Sequence, residues 1–301
     1  MTEPMATPRR SVLVVAGGDA RALARARTLP ADALILDLGD TVVPRAKTQA
    51  RTEVMSALGA GGYAPRECAV RINGLESAWG RDDLAAAATS GAHAVVLPGV
   101  ESAAEVCRAA RLLDAAAAPP AVTLWAMIET PRGVLHVEEI AGSNPRLDCL
   151  VLGTSELTTN LRARHTGERR ALLTSGSLIV LAARAAEIGA LDDIHFEVND
   201  EKTFEAECRQ GRELGFDGVT LMHPSQISAA NRLFAPFDSE VDWAMRVMLA
   251  AESATARGLE AVILDGRLID GRQVSEAKRV LALLDAIRRL DRATTEGLFS
   301  A

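Results

Sequence analysis

Runs of consecutive apolar residues return along this chain at short intervals, and each is followed by a segment with the longer period of a helix. The runs fall at residues 11–18, 33–38, 68–73, 94–100, 122–128, 149–153, 194–198 and 218–222, the seventh being the most ragged. Continuous apolar runs of this length fit strands buried on both faces. The helical segments are clearest at 21–29, 82–90, 103–117, 172–188 and 201–214. About eight strand-helix units predict an α/β fold of the (β/α)8 TIM-barrel type, which takes ~250 residues. A doubly wound open sheet is the alternative, because of the ragged seventh run.

After residue 234 the rhythm changes. Two long helical patterns, at 238–257 and 275–290, flank an apolar insert at 261–271 in which Asp265-Gly266 has the chemistry of a hairpin turn. The division predicted is a barrel catalytic domain over 1–235 and a C-terminal helical extension or lid over 236–301. The extension either packs on a neighbouring subunit or caps the barrel's own surface.

The run at 122–128 switches abruptly to Glu129-Thr130-Pro131-Arg132-Gly133. Thr130-Pro131 suits a helix start, so Glu129 is expected where a buried strand hands over to a helix, the edge at which barrels bind ligands. Its alternative role is a rim ion pair with Arg132. The other residues at predicted strand ends are Gly17, Gly18, Asp37, Gly39, Asp40, Arg71, Asn73, Glu101, Ser155, Glu156, Asn199, Asp200 and His223. Carboxylates dominate this set. The five histidines lack the close spacing of a zinc site, so an oxygen-liganded cation held by Glu129 and Glu156, with waters completing an octahedron, is the better expectation. Arg71 interrupts an apolar strand. A guanidinium there is either paired, with Asp37 or Asp40, or ready for a substrate carboxylate, and the two roles can coexist. Gly17-Gly18 reads as a tight turn or a weak phosphate cradle, and His223-Pro224 as a turn-ordering or proton-transferring pair.

Composition narrows the partners. The 301 residues carry 33 basic against 40 acidic side chains, a net charge of −7, with no basic run interleaved with aromatics, so nucleic acid is excluded as an expected partner. No apolar stretch approaches a membrane span and the first ten residues lack a signal core, so a cytoplasmic protein is expected. The four cysteines are widely separated and read as reduced, packed thiols, any one of which could still be reactive.

Several short motifs, in order, are similar to one known family: Arg10-Ser11-Val12-Leu13, Leu36-Asp37-Leu38-Gly39-Asp40, Val70-Arg71-Ile72-Asn73-Gly74, Val96-Leu97-Pro98, Ile128-Glu129-Thr130-Pro131-Arg132-Gly133, Leu152-Gly153-Thr154, Gly215-Phe216-Asp217-Gly218, His223-Pro224-Ser225-Gln226-Ile227 and Asp265-Gly266-Arg267-Leu268-Ile269-Asp270. Together they resemble the citrate lyase β-subunit-like branch of the HpcH/HpaI aldolase family. The resemblance implies a magnesium-dependent carbon-carbon lyase, with manganese as a possible substitute, that cleaves a 3-hydroxyacyl thioester of coenzyme A or acyl carrier protein. The products would be an acyl thioester and a 2-keto acid, and the assembly a homotrimer. It implies Glu129 and Glu156 as metal ligands and Arg71 as the holder of the keto-acid carboxylate. Asp270 would be the acid/base, reaching into a neighbouring barrel. Asp40 is expected among the catalytic groups, and Asn73, Gly39 and Pro98 around the substrate. The chain departs from the pattern in three places: Gly39 replaces a glutamate, Glu156 an aspartate and Ala16 a proline. A catalytically weakened binding homologue, or an aldolase for a free hydroxy-keto acid, are the remaining expectations.

Overall fold

A computed structural model describes residues 7–193 and 200–299. Eight parallel strands close in sequence order into a barrel: β1 (Ser11–Ala16), β2 (Ala33–Asp37), β3 (Glu67–Arg71), β4 (Ala94–Leu97), β5 (Thr123–Ile128), β6 (Leu147–Leu152), β7 (Gly189–Asp193) and β8 (Gly218–Leu221), with β8 pairing back onto β1. The open-sheet alternative is thereby removed. Among the described residues ten α-helices belong to the barrel: α1 (Ala20–Ala26), α2 (Lys47–Ala60), α3 (Gly80–Ala88), α4 (Ala103–Ala115), α5 (Pro131–Leu135), α6 (Val137–Ala141), α7 (Thr154–Asn160), α8 (Leu173–Ala185), α9 (Glu201–Leu214) and α10 (Ile227–Phe234).

Strand alternation explains why the runs are continuously apolar. Val12, Ala33, Ile35, Ala69, Ala94, Val96, Trp125, Met127, Cys149, Val151 and Leu191 fill the barrel interior. The intervening residues, among them Leu34, Leu36, Val70, Val95, Leu97, Leu124, Ile128, Leu150 and Leu152, pack outward against the helices. The same alternation, continued one step past the interior layer, turns Asp37, Arg71, Pro98, Glu129, Gly153 and Asp193 inward at the C-terminal mouth. At the opposite end Arg9 lies over the Trp125 ring at 4.8 Å and pairs with Glu67 and Asp148, closing the barrel floor.

One strand is displaced from its expected position. The seventh strand is described at Gly189–Asp193, ahead of the run expected at 194–198; residues 194–199, with His195 and Asn199 among them, lie outside the described residues. Its two carboxylates disguise it. Asp192 is neutralised by Arg169 on the outer face, and Asp193 bonds to Thr154 and Thr220 on the inner face.

The chain divides after Phe234 into two compact units. The second contains α11 (Asp238–Ala256), the antiparallel hairpin β9 (Val262–Leu264) and β10 (Arg267–Ile269), and α12 (Gly271–Phe299). Ala244, Val247, Ile269 and Ala277 form its core. Asp265 and Gly266 make the hairpin turn with φ of 50° and 74°, the left-handed pair that a two-residue connection favours. Among the described residues no helix is long and apolar enough to cross a membrane.

Candidate active site

Register sets the first half of the site. β2 and β3 place Asp37 opposite Arg71, and the two form a fork: Arg71 Nε donates to Asp37 Oδ1 at 2.5 Å and Nη2 to Oδ2 at 2.8 Å. Asp37 also accepts from the Gly39 N–H at 2.7 Å, the Thr41 N–H at 3.0 Å and the Thr41 hydroxyl at 2.6 Å. Burial alone would raise this carboxyl, but the guanidinium and Thr41 hold it below the usual range. The paired role foreseen for Arg71 is therefore filled, yet its Nη1 remains at the mouth. Among the described residues it meets there Asp40, at 3.1 Å, and the Met127 sulfur at 4.0 Å. The Asp40 side chain is 75% exposed, so this second contact is a surface one, cheap to exchange for a ligand.

Glu129, just past β5, makes the other half. Its residue is 7% exposed, and Arg132 pairs instead with Glu101, at 3.6 Å, so the rim-pair alternative fails. Thr130 caps α5 by accepting from the Gly133 N–H, with Pro131 in the first turn, which fixes the strand-to-helix corner that delivers the carboxylate. Burial, then repulsion from Glu156, push Glu129 up to about 7, against partial relief from Arg71 and the Gly99 N–H. Glu156 stands exposed in the first turn of α7. A buried carboxylate repelled by an exposed one at its rim, with the Arg71 guanidinium already forked to Asp37, fits a divalent cation. Among the described residues no cluster of three or more His, Cys, Asp or Glu side chains stands ready as a metal cage, so waters and substrate would complete the sphere, as magnesium prefers.

Two glycines shape this corner. A Cβ on Gly153 would lie 2.4 Å from Glu129 Cγ, and one on Gly99, whose φ is +58°, would lie 3.5 Å from Oε2. The glycines are thus the cradle of the carboxylate. Gly153→Ala is expected to displace Glu129 and lower magnesium affinity at least tenfold by calorimetry. Unchanged affinity would show that the carboxylate binds from another rotamer.

The remaining candidates separate. Pro98 lines a cavity of about 250 Å³ with Ile72, Leu75 and Val100. Asn73 is engaged elsewhere: its amide donates to Leu38 O and Asp83 and accepts from Lys47, which leaves it no free amide N–H for substrate. Gly17 is a close-packed turn, since a Cβ would lie 2.6 Å from Asp37 O. His223 caps the turn after β8, its ring bonded to Ser225 and its N–H to Gln226, the turn-ordering role. Asp200 caps α9 through Thr203. Asp270 belongs to the second unit, where it accepts from the Arg272 N–H at the start of α12. All four cysteines are free, and burial pushes the Cys68, Cys149 and Cys208 thiols up, away from reactivity. The sequence reading missed Gly99, Gly153, Lys47 and Asp193. Gly153 carried a signal, as the residue after a buried strand beside the one ending in Glu129.

Fold and mouth together define a (β/α)8-barrel enzyme of the lyase class. The chain belongs to the HpcH/HpaI aldolase/citrate lyase family, whose model matches residues 10–224. It is 40% identical over 282 residues to a (3S)-malyl-CoA thioesterase of Cereibacter sphaeroides (strain ATCC 17025 / ATH 2.4.3), covering 94% of this chain and 96% of that one. It is 39% identical over 279 residues to the citrate lyase subunit beta of Escherichia coli K12, covering 91% and 92%. Among solved structures, it is similar to CitE of Mycobacterium tuberculosis in complex with magnesium, acetoacetate and coenzyme A. That match has a TM-score of 0.74 and 28% identity over 94% of this chain and 99% of that one. The citrate lyase beta subunit of M. tuberculosis complexed with oxaloacetate and magnesium matches with a TM-score of 0.67 and 30% identity, covering 77% and 99%.

Proposed function

We propose that this chain cleaves a 3-hydroxyacyl thioester, of the citryl-, malyl- or citramalyl-CoA kind, into an acyl thioester and a 2-keto acid with magnesium. The observation that carries the reading is the Glu129 carboxylate at the strand-end mouth, raised by burial and then by Glu156, and within electrostatic reach of Arg71. Glu129 and Glu156 are the residues that would hold magnesium, whose charge, when bound, polarises the keto-acid oxygen. Arg71 Nη1 receives the substrate carboxylate in exchange for Asp40. A base takes the proton of the 3-hydroxyl as the C2–C3 bond breaks, and the released pair becomes the thioester enolate, which takes a proton at its α-carbon. Asp40, beside the bound carboxylate, is placed for the first transfer, and Asp270 of a neighbouring subunit is assigned the second. The magnesium, acetoacetate and coenzyme A of one related CitE structure, and the magnesium and oxaloacetate of another, support the ligand classes of this reading.

A homo-oligomer, a trimer in this reading, is supported by the hairpin. Ile263 and Leu268 pair across its strands on one face and are 64% and 57% exposed, apolar surface suited to a partner. Asp270→Asn and Glu129→Gln chains, each inactive alone, are expected to regain turnover when mixed and reassembled. A monomer by light scattering, or no recovery in the mixture, would overturn the shared site.

A second reading, hydrolysis of the thioester, is favoured by the 40% identity to a malyl-CoA thioesterase. The test separates the two. Malyl-, citramalyl- and citryl-CoA are incubated with the protein and magnesium, and both keto acid and free thiol are measured. Keto acid without thiol supports cleavage, thiol without keto acid supports hydrolysis, and neither from any substrate overturns both.

A further inference from the structure

Lys47 is the first residue of α2, a position where the helix dipole disfavours a cation, and it is 7% exposed. Such a charge is tolerated only when its donors are satisfied. Lys47 Nζ lies 3.0 Å from Leu38 O, 2.8 Å from Gly39 O and 2.6 Å from Asn73 Oδ1, and 5.6 Å from the centre of the Trp79 ring. An ammonium has three N–H groups, and three acceptors use them all. It has none left for a substrate.

The acceptors define what Lys47 does. Leu38 and Gly39 form the turn that leaves β2, and that turn wraps Asp37: the Gly39 N–H meets Oδ1 on the side where Arg71 Nε also binds. Lys47 grips the carbonyl side of the Leu38–Gly39 peptide, whose N–H meets Asp37 in the fork, and also the carbonyl of the peptide that follows. Asn73 repeats the grip by donating to Leu38 O; it also donates to Asp83, which Arg51 holds in turn. Glycine at 39 gives the turn no side chain of its own to wedge it in place.

We propose that Lys47 is a positioning residue for Arg71: its buried ammonium fixes the β2 turn so that the Asp37–Arg71 fork presents Nη1 to the substrate carboxylate. The substrate half of this statement rests on the function proposed above; the clamp itself does not. Lys47 touches neither Glu129 nor Glu156, so it governs the carboxylate subsite and not the metal.

The test reads the clamp and the subsite separately. Hydrogen exchange in the full-length protein is followed at the Gly39 and Thr41 amides, and binding of magnesium alone, then of pyruvate or glyoxylate with magnesium, is measured by calorimetry. In the parent both amides are expected to be protected; exchange at the rate of an open turn would overturn the clamp without any variant. In Lys47→Met, or in Lys47→Gln if the first does not fold, these amides are expected to exchange at least tenfold faster. Keto-acid affinity should fall at least tenfold while magnesium affinity stays within threefold. Lys47→Arg, which restores a donor, should recover part of the loss. A lysine that only stabilises the fold would lower the melting temperature and leave keto-acid affinity unchanged, and that result overturns the proposal. If the parent binds neither keto acid, the substrate reading falls, and the exchange rates alone decide the clamp.

Discussion

Glu129→Gln is expected to make the magnesium-free protein more stable at pH 8 while removing roughly a hundredfold or more of its magnesium affinity. The two effects share one cause. Burial and Glu156 hold the Glu129 carboxyl at about 7 against an ordinary 4.5, so between those values the folded chain binds a proton that the unfolded chain has lost. Stability therefore falls as pH rises through that window, and above pH 7 the full cost is present, at most about 3 kcal/mol. Glutamine is neutral and nearly isosteric, so it lifts the cost. In a barrel of this size that is a rise of several degrees in melting temperature at pH 8, shrinking toward nothing near pH 4.5. Magnesium requires the ionised acid, so the parent's affinity should drop about tenfold for each pH unit below 7 and level off above it. Thermal melts and calorimetry across pH 5 to 8 check both halves. A variant that is less stable at pH 8 would overturn the buried-charge cost, and one that binds magnesium as the parent does would remove Glu129 from the metal site.

Such a carboxylate is a stability cost retained at a functional position, which is where sequence patterns and packing rules part company. Most of the barrel was legible because two-sided burial imposes apolar runs, and these located seven of the eight strands. The seventh failed on its own terms. Gly189-Ala190-Leu191-Asp192-Asp193 is short, and its carboxylates are satisfied by an ion pair with Arg169 and by hydrogen bonds from Thr154 and Thr220, partners that no local window contains. The more apolar residues beyond it drew the assignment off by five positions.

The candidate site divides in the same way. Arg71 and Glu129 stood out because charge at the end of a buried strand is conspicuous, and parity carries both into the mouth. Asn73 looked equally well placed, yet its amide is consumed by Leu38, Asp83 and Lys47, bonds that depend on how α2 and α3 return to the strands. Lys47 itself reads in sequence as an ordinary surface cation at a helix start. Only the fold shows that it turns inward.

Gly39→Glu is expected to raise keto-acid release from a standard malyl- or citramalyl-thioester by up to ~10²-fold, the lower range of a general acid-base contribution. The family this chain resembles carries a glutamate there, and the structure shows what its loss leaves. A Cβ on Gly39 would lie 3.0 Å from Asp37 Oδ1 and 3.3 and 3.6 Å from Arg71 Nε and Cζ. The new side chain would therefore start against the flank of the fork. Those contacts require shifts of a few tenths of an ångström, and the atoms met are side-chain atoms. From that flank a carboxylate lies beside the Arg71 guanidinium, where it can orient the reacting hydroxyl or water near the metal-binding corner. Glycine offers neither function and leaves room for solvent or a bulkier substrate group, so the parent should be a slow or altered lyase that still binds magnesium and a small keto acid. The added charge also loads a mouth that already holds Asp37, Asp40, Glu129 and Glu156, so magnesium affinity must be measured beside turnover. If the variant melts and binds magnesium like the parent and releases no more keto acid from malyl-, citramalyl- or citryl-thioesters, then the missing carboxylate does not limit this enzyme. Glu156, where the resemblance implies an aspartate one methylene shorter, would then be the next position to test.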